Sequence, residues 1–347
     1  MRRLIINSYG TFIGYRKGLV VIKNKDLEEK YPLGNLDQIV IATRGAAISS
    51  RLIRACVKNN VDVLILSSSG KPLGRVFNLR RSHVKLRLEQ IRAREDERGL
   101  RIAKALVYGK LRSQSNMLKS LAKNRSGELK DKLMTLSFSI DELASEIDTI
   151  NSSLSEARRQ LIGIEAEAAR FYWSGVSYIV PSDLRFTSRK KRFENPDDPV
   201  NLCLNYLYGV LASEIFLMIE ISGLDPWFGF LHDDSNRRPA LVYDLMELFR
   251  TAVVDRVVLN IALRNPDKLS SGVDSKLRII RKSFRAELLR EIFERLGCEV
   301  SFNGKRKPIY SHILSQARDL ARYLLGHKSE FKPFVMGVVK NEDFGNL

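Results

Sequence analysis

Between Phe77 and Lys85 the hydrophobic pattern of the chain changes period, and any fold proposed for it must break there. Before that point, runs rich in β-branched and aromatic residues (LIINSYGTFIGYRKGLVVIKN, NLDQIVIAT, VDVLILSSSGKPLG) are punctuated by Gly, Pro, Asn and Ser. Such runs read as short strands joined by tight turns. SSRLIRACVKNN, lying among them, reads as a single helix with Ser49 or Ser50 as its N-cap. After that point, RRSHVKLRLEQIRAREDERGLRIAKALVYGKLRSQSNMLKSLAK spaces its apolar residues three and four apart, and a second such pattern runs from about Gly127 to Trp173. This is the spacing of amphipathic helices. The predicted fold class is therefore α+β. A small β-rich, sandwich-like domain covers residues 1–79, a larger all-helical domain covers 80–332, and 333–347, where periodicity lapses, reads as a flexible tail.

With 347 residues the chain can bury two cores, and its 28% charged and 44% hydrophobic residues suit a globular protein. No run approaches 18 consecutive apolar residues, and the start MRRLIINSYGTF lacks a secretory h-region. Cys56, Cys203 and Cys298 form no CxxC pair, so neither a zinc site nor a disulfide framework is predicted. A cytoplasmic location, with no membrane partner, is the expectation.

The formal charge of +18 draws polyanions, and nucleic acid fits better than a membrane surface because no basic amphipathic anchor is present. The charge is unevenly spread. Residues 80–132 hold 16 Lys and Arg against 6 Asp and Glu, whereas residues 133–250 hold 11 against 18. A surface that only grips phosphate gains nothing from such an acidic island. A nuclease-type site does, since its carboxylates hold the cations that neutralise a scissile phosphate.

Inside the island lies GFLHDDSNRRPALVYDLMELFR, residues 229–250. His232 stands beside Asp233 and Asp234, a basic turn with Arg237 and Arg238 follows, and Asp244 and Glu247 share one face of the next helix. Upstream, QLIGIEAEAARFYW carries Glu165 next to a stripe of Ile162, Ala166, Ala169 and Trp173. Oxygen and imidazole donors without thiolates suit Mn²⁺ or Mg²⁺. The same residues also fit a solvated helix start, whose acids the helix dipole favours. The loop SRKKRFENPDDPVNLCLNYLYG offers Arg189, Lys190, Lys191 and Arg192 as a phosphate clamp, with Asn201 on the following helix as a further hydrogen-bonding candidate; a solvated loop and an ordinary cap are the alternatives. No GxxxxGK[ST], GxGxxG after a strand, GxSxG or HExxH occurs, and four scattered histidines offer no clear Ser/His/Asp triad.

GIEAEAARFYW, RKKRFENPDDPVNLCLNYLYG, GLDPWFGFLH and LVYDLMELFR, in that order and spacing, resemble the CRISPR adaptation integrases, the first-numbered CRISPR-associated protein family. The resemblance covers nearly the whole chain. It implies metal ligands at Glu165, His232 and Glu247, with Asp244 supporting the site or sharing the metal. Ala166 stands where that family has a glycine, and Glu247 is one methylene longer than the usual aspartate. The activity implied is that of a metal-dependent endonuclease and integrase. It inserts short foreign DNA by 3′-hydroxyl attack on a phosphodiester, and cleavage and branch resolution use the same site. The cofactor implied is Mn²⁺ or Mg²⁺. The partners implied are double-stranded and branched DNA, a second copy joined through the β-rich domain, and the second-numbered CRISPR-associated protein bridging two such dimers. The alternative is a DNA-binding scaffold of the same complex that has no chemistry of its own.

Overall fold

The computed structural model describes residues 3–25, 27–67, 72–76, 83–232 and 238–338. The chain divides into two compact units, residues 1–82 with 208–213, and residues 83–207 with 214–347.

The first unit holds eight strands: β1 (Arg3–Ile6), β2 (Phe12–Arg16), β3 (Leu19–Asn24), β4 (Leu27–Pro32), β5 (Gln38–Ile41), β6 (Ala47–Ile48), β7 (Asp62–Leu66) and β8 (Pro72–Val76). One sheet has the order β1-β5-β7-β8, with β1, β5 and β7 parallel and β8 antiparallel. The other has the order β4-β3-β2-β6, and its central β2–β3 hairpin turns at Lys17 and Gly18, both at positive φ. Residues with φ above zero at both turn positions match the twist of the flanking strands. Leu4, Ile6, Ile39 and Val63 of the first sheet share one core with Ile13 and Val20 of the second. Leu52 and Cys56 of helix α1 (Ser50–Lys58) complete it. Ser49 caps α1, its hydroxyl accepting from the Leu52 N–H at 3.2 Å.

The second unit is mostly helical. Helices α2 (Val84–Arg92), α3 (Glu97–Lys123), α4 (Gly127–Glu146) and α5 (Leu154–Ser177) come first. They are followed by α6 (Pro199–Ile221), of which residues 208–213 group with the first unit, and by α7 (Ala240–Glu247), α8 (Arg256–Arg264), α9 (Pro266–Ser271), α10 (Lys282–Gly297) and α11 (Ile309–Leu324). Helix α3 packs on α4, α5 and α7. The pattern read as continuous from 127 to 173 is two helices. Asn151, Ser152 and Ser153 break it, and Glu156 accepts from the Ser153 N–H at 3.2 Å to start the second. Helix α6 is long and apolar enough to cross a bilayer, with hydropathy 1.7 over an 18-residue window, but 78% of that window is buried in the protein, as in a core helix. A π-helical turn at Thr251–Asp255 leads into α8.

Two features of this unit depart from the pattern-based expectation. Two short hairpins interrupt the helices, β9 (Val273–Asp274) with β10 (Ile279–Ile280), and β11 (Glu299–Phe302) with β12 (Lys305–Pro308). The second turns at Asn303–Gly304, both at positive φ. Asn-Gly is a strong hairpin signal in its own right. Residues 333–338 are also not a loose tail. The Phe334 N–H donates to Gln316 Oε1 at 3.0 Å, the Met336 N–H donates to Ser113 Oγ at 3.1 Å, and Asn116 Nδ2 donates to the Met336 carbonyl at 2.7 Å. The Phe334 ring stacks on Phe249 with centroids 4.7 Å apart. A segment without periodicity is fixed here by two side-chain amides and a serine hydroxyl that satisfy its backbone. Residues 339–347 lie outside the described residues.

Candidate metal centre

The buried stripe of α5 is Leu161, Ala168, Tyr172 and Val176, at steps of seven, four and four. Ile162 is 43% exposed, so the inward face is rotated by about one residue from the stripe read in the sequence. Glu165 falls in register with the inward stripe, four after Leu161 and three before Ala168. An acid in an apolar row is costly unless a cation meets it. Lys110 of α3 supplies that cation by pairing with Glu165.

Helix α7 brings a second carboxylate to the same ammonium. Glu247 is 3% exposed, and its Oε2 lies 2.6 Å from Lys110 Nζ. That oxygen is fully buried and makes no hydrogen bond of ordinary geometry. The other oxygen, Oε1, is held by Arg250 at 2.9 Å, one turn along the chain. Burial opposes the charge on Glu247, but Arg250, Lys110 and His232 outweigh it and hold the carboxyl down at about 2. Burial likewise opposes the charge on Lys110, and Glu165 and Glu247 overcome it, leaving the ammonium above the ordinary lysine value.

The histidine is positioned by the aspartate. Asp244 is fully buried and accepts from the N–H groups of Phe230 (2.5 Å), Leu231 (3.1 Å) and His232 (3.0 Å). Its Oδ1 also lies 2.7 Å from His232 Nδ1. These bonds occupy the carboxylate, so Asp244 orients the site and is not a free ligand. They place the imidazole proton on Nδ1 and leave the Nε2 lone pair for a ligand. A Cβ on Gly229 would stand 2.7 Å from Asp244 Oδ2 and 2.8 Å from the Ala240 Cβ, so the loop closes on the aspartate only with glycine there. From α5, Arg158 Nε donates to the Phe230 carbonyl at 2.9 Å. The helix that carries Glu165 thus also anchors the histidine loop. Burial lowers the His232 pKa, but the bond to Asp244 and the charges of Asp244, Glu247 and Glu165 raise it above its usual 6.5.

Among the described residues, no three His, Cys, Asp or Glu side chains stand as a preformed metal set. Glu165 and Glu247 instead converge on one cation, the Lys110 ammonium, with His232 within their field. Two carboxylates already closed around one positive charge, with an imidazole beside them, supply the oxygen and nitrogen donors that suit a divalent cation of the Mg²⁺ or Mn²⁺ type.

The basic candidates divide. Asn201 is fully buried, and its amide receives from the Lys190 N–H (2.9 Å) and donates to the Ser188 carbonyl and Asp198 (2.8 Å each). It folds the loop and has no face for DNA. Arg189 bonds to Asn201 (3.1 Å) and Asn205 (2.7 Å) and belongs to the same scaffold. Lys190 is half-buried beside it, whereas Lys191, Arg192 and Arg238 are exposed. Arg237 lies outside the described residues. The positive charge of residues 80–132 is also partly spent inside. Arg112 and Lys119 pair with Asp141, and Arg98 pairs with Glu89 and Asp96. Lys85, Arg87, Lys123 and Lys130 remain exposed. Pattern reading missed Lys110, Arg250 and Arg158. Only the position of Lys110 among the apolar residues ALVYG and L of α3 marked it as buried.

The family model for "CRISPR associated protein Cas1" matches residues 4–278. The chain is 35% identical to "CRISPR-associated endonuclease Cas1 1" of Archaeoglobus fulgidus over 336 residues, covering 94% of this chain and 97% of the relative. A casposase bound to integration product superposes with a TM-score of 0.82 at 25% identity, covering 99% of this chain and 96% of the other. A chain of a Cas6-RT-Cas1–Cas2 complex superposes at 0.73 with 19% identity, covering 97% of this chain and 36% of that longer one. With the mixed β-rich and helical architecture and this run of sequence in common, the chain belongs to the Cas1 family.

Proposed function

We propose that this protein is a metal-dependent DNA integrase and endonuclease of CRISPR adaptation, with Glu165, His232 and Glu247 holding Mn²⁺ or Mg²⁺. The observation that carries the reading is the convergence of the Glu165 and Glu247 carboxylates on one buried cationic point beside a histidine held by Asp244. The relative's name as an endonuclease and the casposase's bound integration product support the same reaction class.

When bound, the cation polarises the scissile phosphate and acidifies the attacking 3′-hydroxyl. The chain's own part is placement. Asp244 fixes the imidazole through Nδ1 and leaves Nε2 for the cation, Arg250 holds Glu247 ionised, and Arg158 keeps the histidine loop on α5. Such fixed groups need little reorganisation during reaction. Water in place of the hydroxyl gives cleavage, and the reverse transfer resolves a branch. Lys191, Arg192 and Arg238, with exposed Lys85 and Arg87, grip duplex phosphates by charge and shape. We further propose a homodimer through the β-rich unit, a Cas2 partner bridging two dimers, and a cytoplasmic location.

The test is strand transfer and cleavage on a branched DNA with a free 3′-hydroxyl, in Mn²⁺, Mg²⁺ or EDTA. Wild type is compared with Glu165→Ala, His232→Ala and Glu247→Ala, each checked for folding by circular dichroism. Metal-dependent product lost in all three folded variants supports the reading. DNA binding without product under every metal, with a Cas2 partner added, refutes it in favour of a scaffold.

A further inference from the structure

Lys110 occupies a position that the proposed reaction does not use. It sits mid-helix in α3, is only 9% exposed, and meets both carboxylates of the proposed metal centre. Two acids facing one point, Glu247 buried and Glu165 half-buried, repel each other unless a cation lies between them. In this structure the cation is an ammonium. A divalent ion and an ammonium at the same point would repel strongly in so buried a site, so the two cations exclude each other.

The surroundings allow only the side chain to move. A Cβ on Gly109 would stand 2.5 Å from Leu248 Cδ2 and 2.8 Å from the Pro333 Cβ, so α3 lies too tightly against its neighbours to slide. Arg250 holds the other oxygen, Glu247 Oε1, at 2.9 Å, so exchange at Oε2 involves Lys110 and not the arginine. Lysine carries a compact charge on a flexible four-carbon stem. An acceptor for that charge lies one turn along the same helix face. Gln114 is 3% exposed, and its Oε1 is buried with no hydrogen-bond partner. Residues four apart on a helix adjoin, and the later side chain leans back over the earlier turn.

We infer that Lys110 is an exchangeable internal counter-ion. Its ammonium holds Glu165 and Glu247 together in the metal-free protein, then moves to Gln114 Oε1 as a divalent cation takes its place. The inference rests on the proposed metal centre and adds to it a loading step by cation exchange. Metal affinity is then set by competition with a built-in charge, and the metal-free site stays assembled.

The test is isothermal titration of full-length protein with Mn²⁺ alone, together with melting temperatures with and without Mn²⁺, for wild type, Lys110→Met, Gln114→Leu and Glu165→Gln. Lys110→Met is expected to melt roughly 10 °C lower without metal, to recover most of that loss with Mn²⁺, and to bind Mn²⁺ about tenfold tighter or more. Gln114→Leu, which removes the acceptor for the displaced ammonium, is expected to bind Mn²⁺ severalfold more weakly without a lower metal-free melting temperature. The inference is overturned if Lys110→Met binds Mn²⁺ no more tightly than wild type, if that variant stays unfolded at saturating Mn²⁺, or if Gln114→Leu binds like wild type. Wild-type affinity in Glu165→Gln would instead refute the metal centre itself, so the two failures read differently.

Discussion

Replacing Asp244 by alanine removes the acceptor of three backbone N–H groups and the partner of the His232 ring at a fully buried point. A hydrogen bond to a charged group contributes about 1.5–3 kcal/mol, and a stranded buried donor costs about 1–3 kcal/mol. The three amides belong to one short loop and relax together, so their losses do not simply add. The expected loss is about 3–5 kcal/mol, comparable to removing one partner of a buried ion pair. For a unit of this size that lowers the melting temperature by roughly 10 °C. Urea denaturation of the metal-free protein, followed by far-ultraviolet circular dichroism, measures it. A calorimetric Mn²⁺ titration of the same variant separates orienting from ligating. Loss of an orienting partner weakens metal affinity by about 10- to 100-fold, whereas loss of Glu165 or Glu247 should abolish it. A destabilisation under about 1 kcal/mol, or wild-type Mn²⁺ affinity, would show that Asp244 does not hold the histidine loop in the way argued.

Gly229→Ala is expected to lose roughly 1–3 kcal/mol and to weaken Mn²⁺ binding, because the new methyl meets both Asp244 and Ala240; denaturation and titration check both. Lys191→Ala with Arg192→Ala should leave stability unchanged and reduce the salt dependence of DNA affinity by about one to two released counterions, read from binding isotherms across salt concentrations. Asn201→Ala should do the opposite, costing about 1–3 kcal/mol of stability with the salt slope unchanged, since its amide folds the loop. The pH response follows from His232, whose pKa is raised above 6.5. Its protonated form contributes stability that is present below 6.5 and lost as pH rises through the raised value, while metal binding needs the free lone pair. Mn²⁺ affinity should therefore climb with pH above 6.5 in wild type and lose that climb in His232→Ala. Glu247, held at about 2, stays ionised throughout this range and adds no slope.

The change of period near residue 80 made the break between the β-rich and helical parts legible, because amphipathic patterns report which face is buried. Register was harder to read. The sequence stripe of Ile162, Ala166, Ala169 and Trp173 is not the inward face of α5, which runs through Leu161, Ala168 and Tyr172 with Glu165 in register. In a helix with alanines on several sides, small residues blur the stripe. Histidine is scarce, four in the chain, so His232 stood out by type, whereas Glu165 and Glu247 are two of 40 acids and were singled out by the family resemblance. Lys110 was not, since a lysine in a basic helix looks solvated until two acids from distant segments are seen to close on it. Asn201 shows the converse. Its type suggested a DNA contact, but it turned inward because the Ser188–Lys190 backbone needed partners. The order of residues 333–338 depends on Gln316, Asn116 and Ser113, so no local pattern announces it.

The central claim is that Glu165, His232 and Glu247 bind one divalent cation. The most direct test is a crystal of the full-length protein soaked in Mn²⁺ and measured at the manganese edge. The account predicts an anomalous peak between the two glutamates and His232 Nε2, with the Lys110 ammonium displaced from Glu247. Manganese bound elsewhere, or a Lys110 ammonium still bridging both carboxylates in a protein that carries out metal-dependent strand transfer, would contradict it.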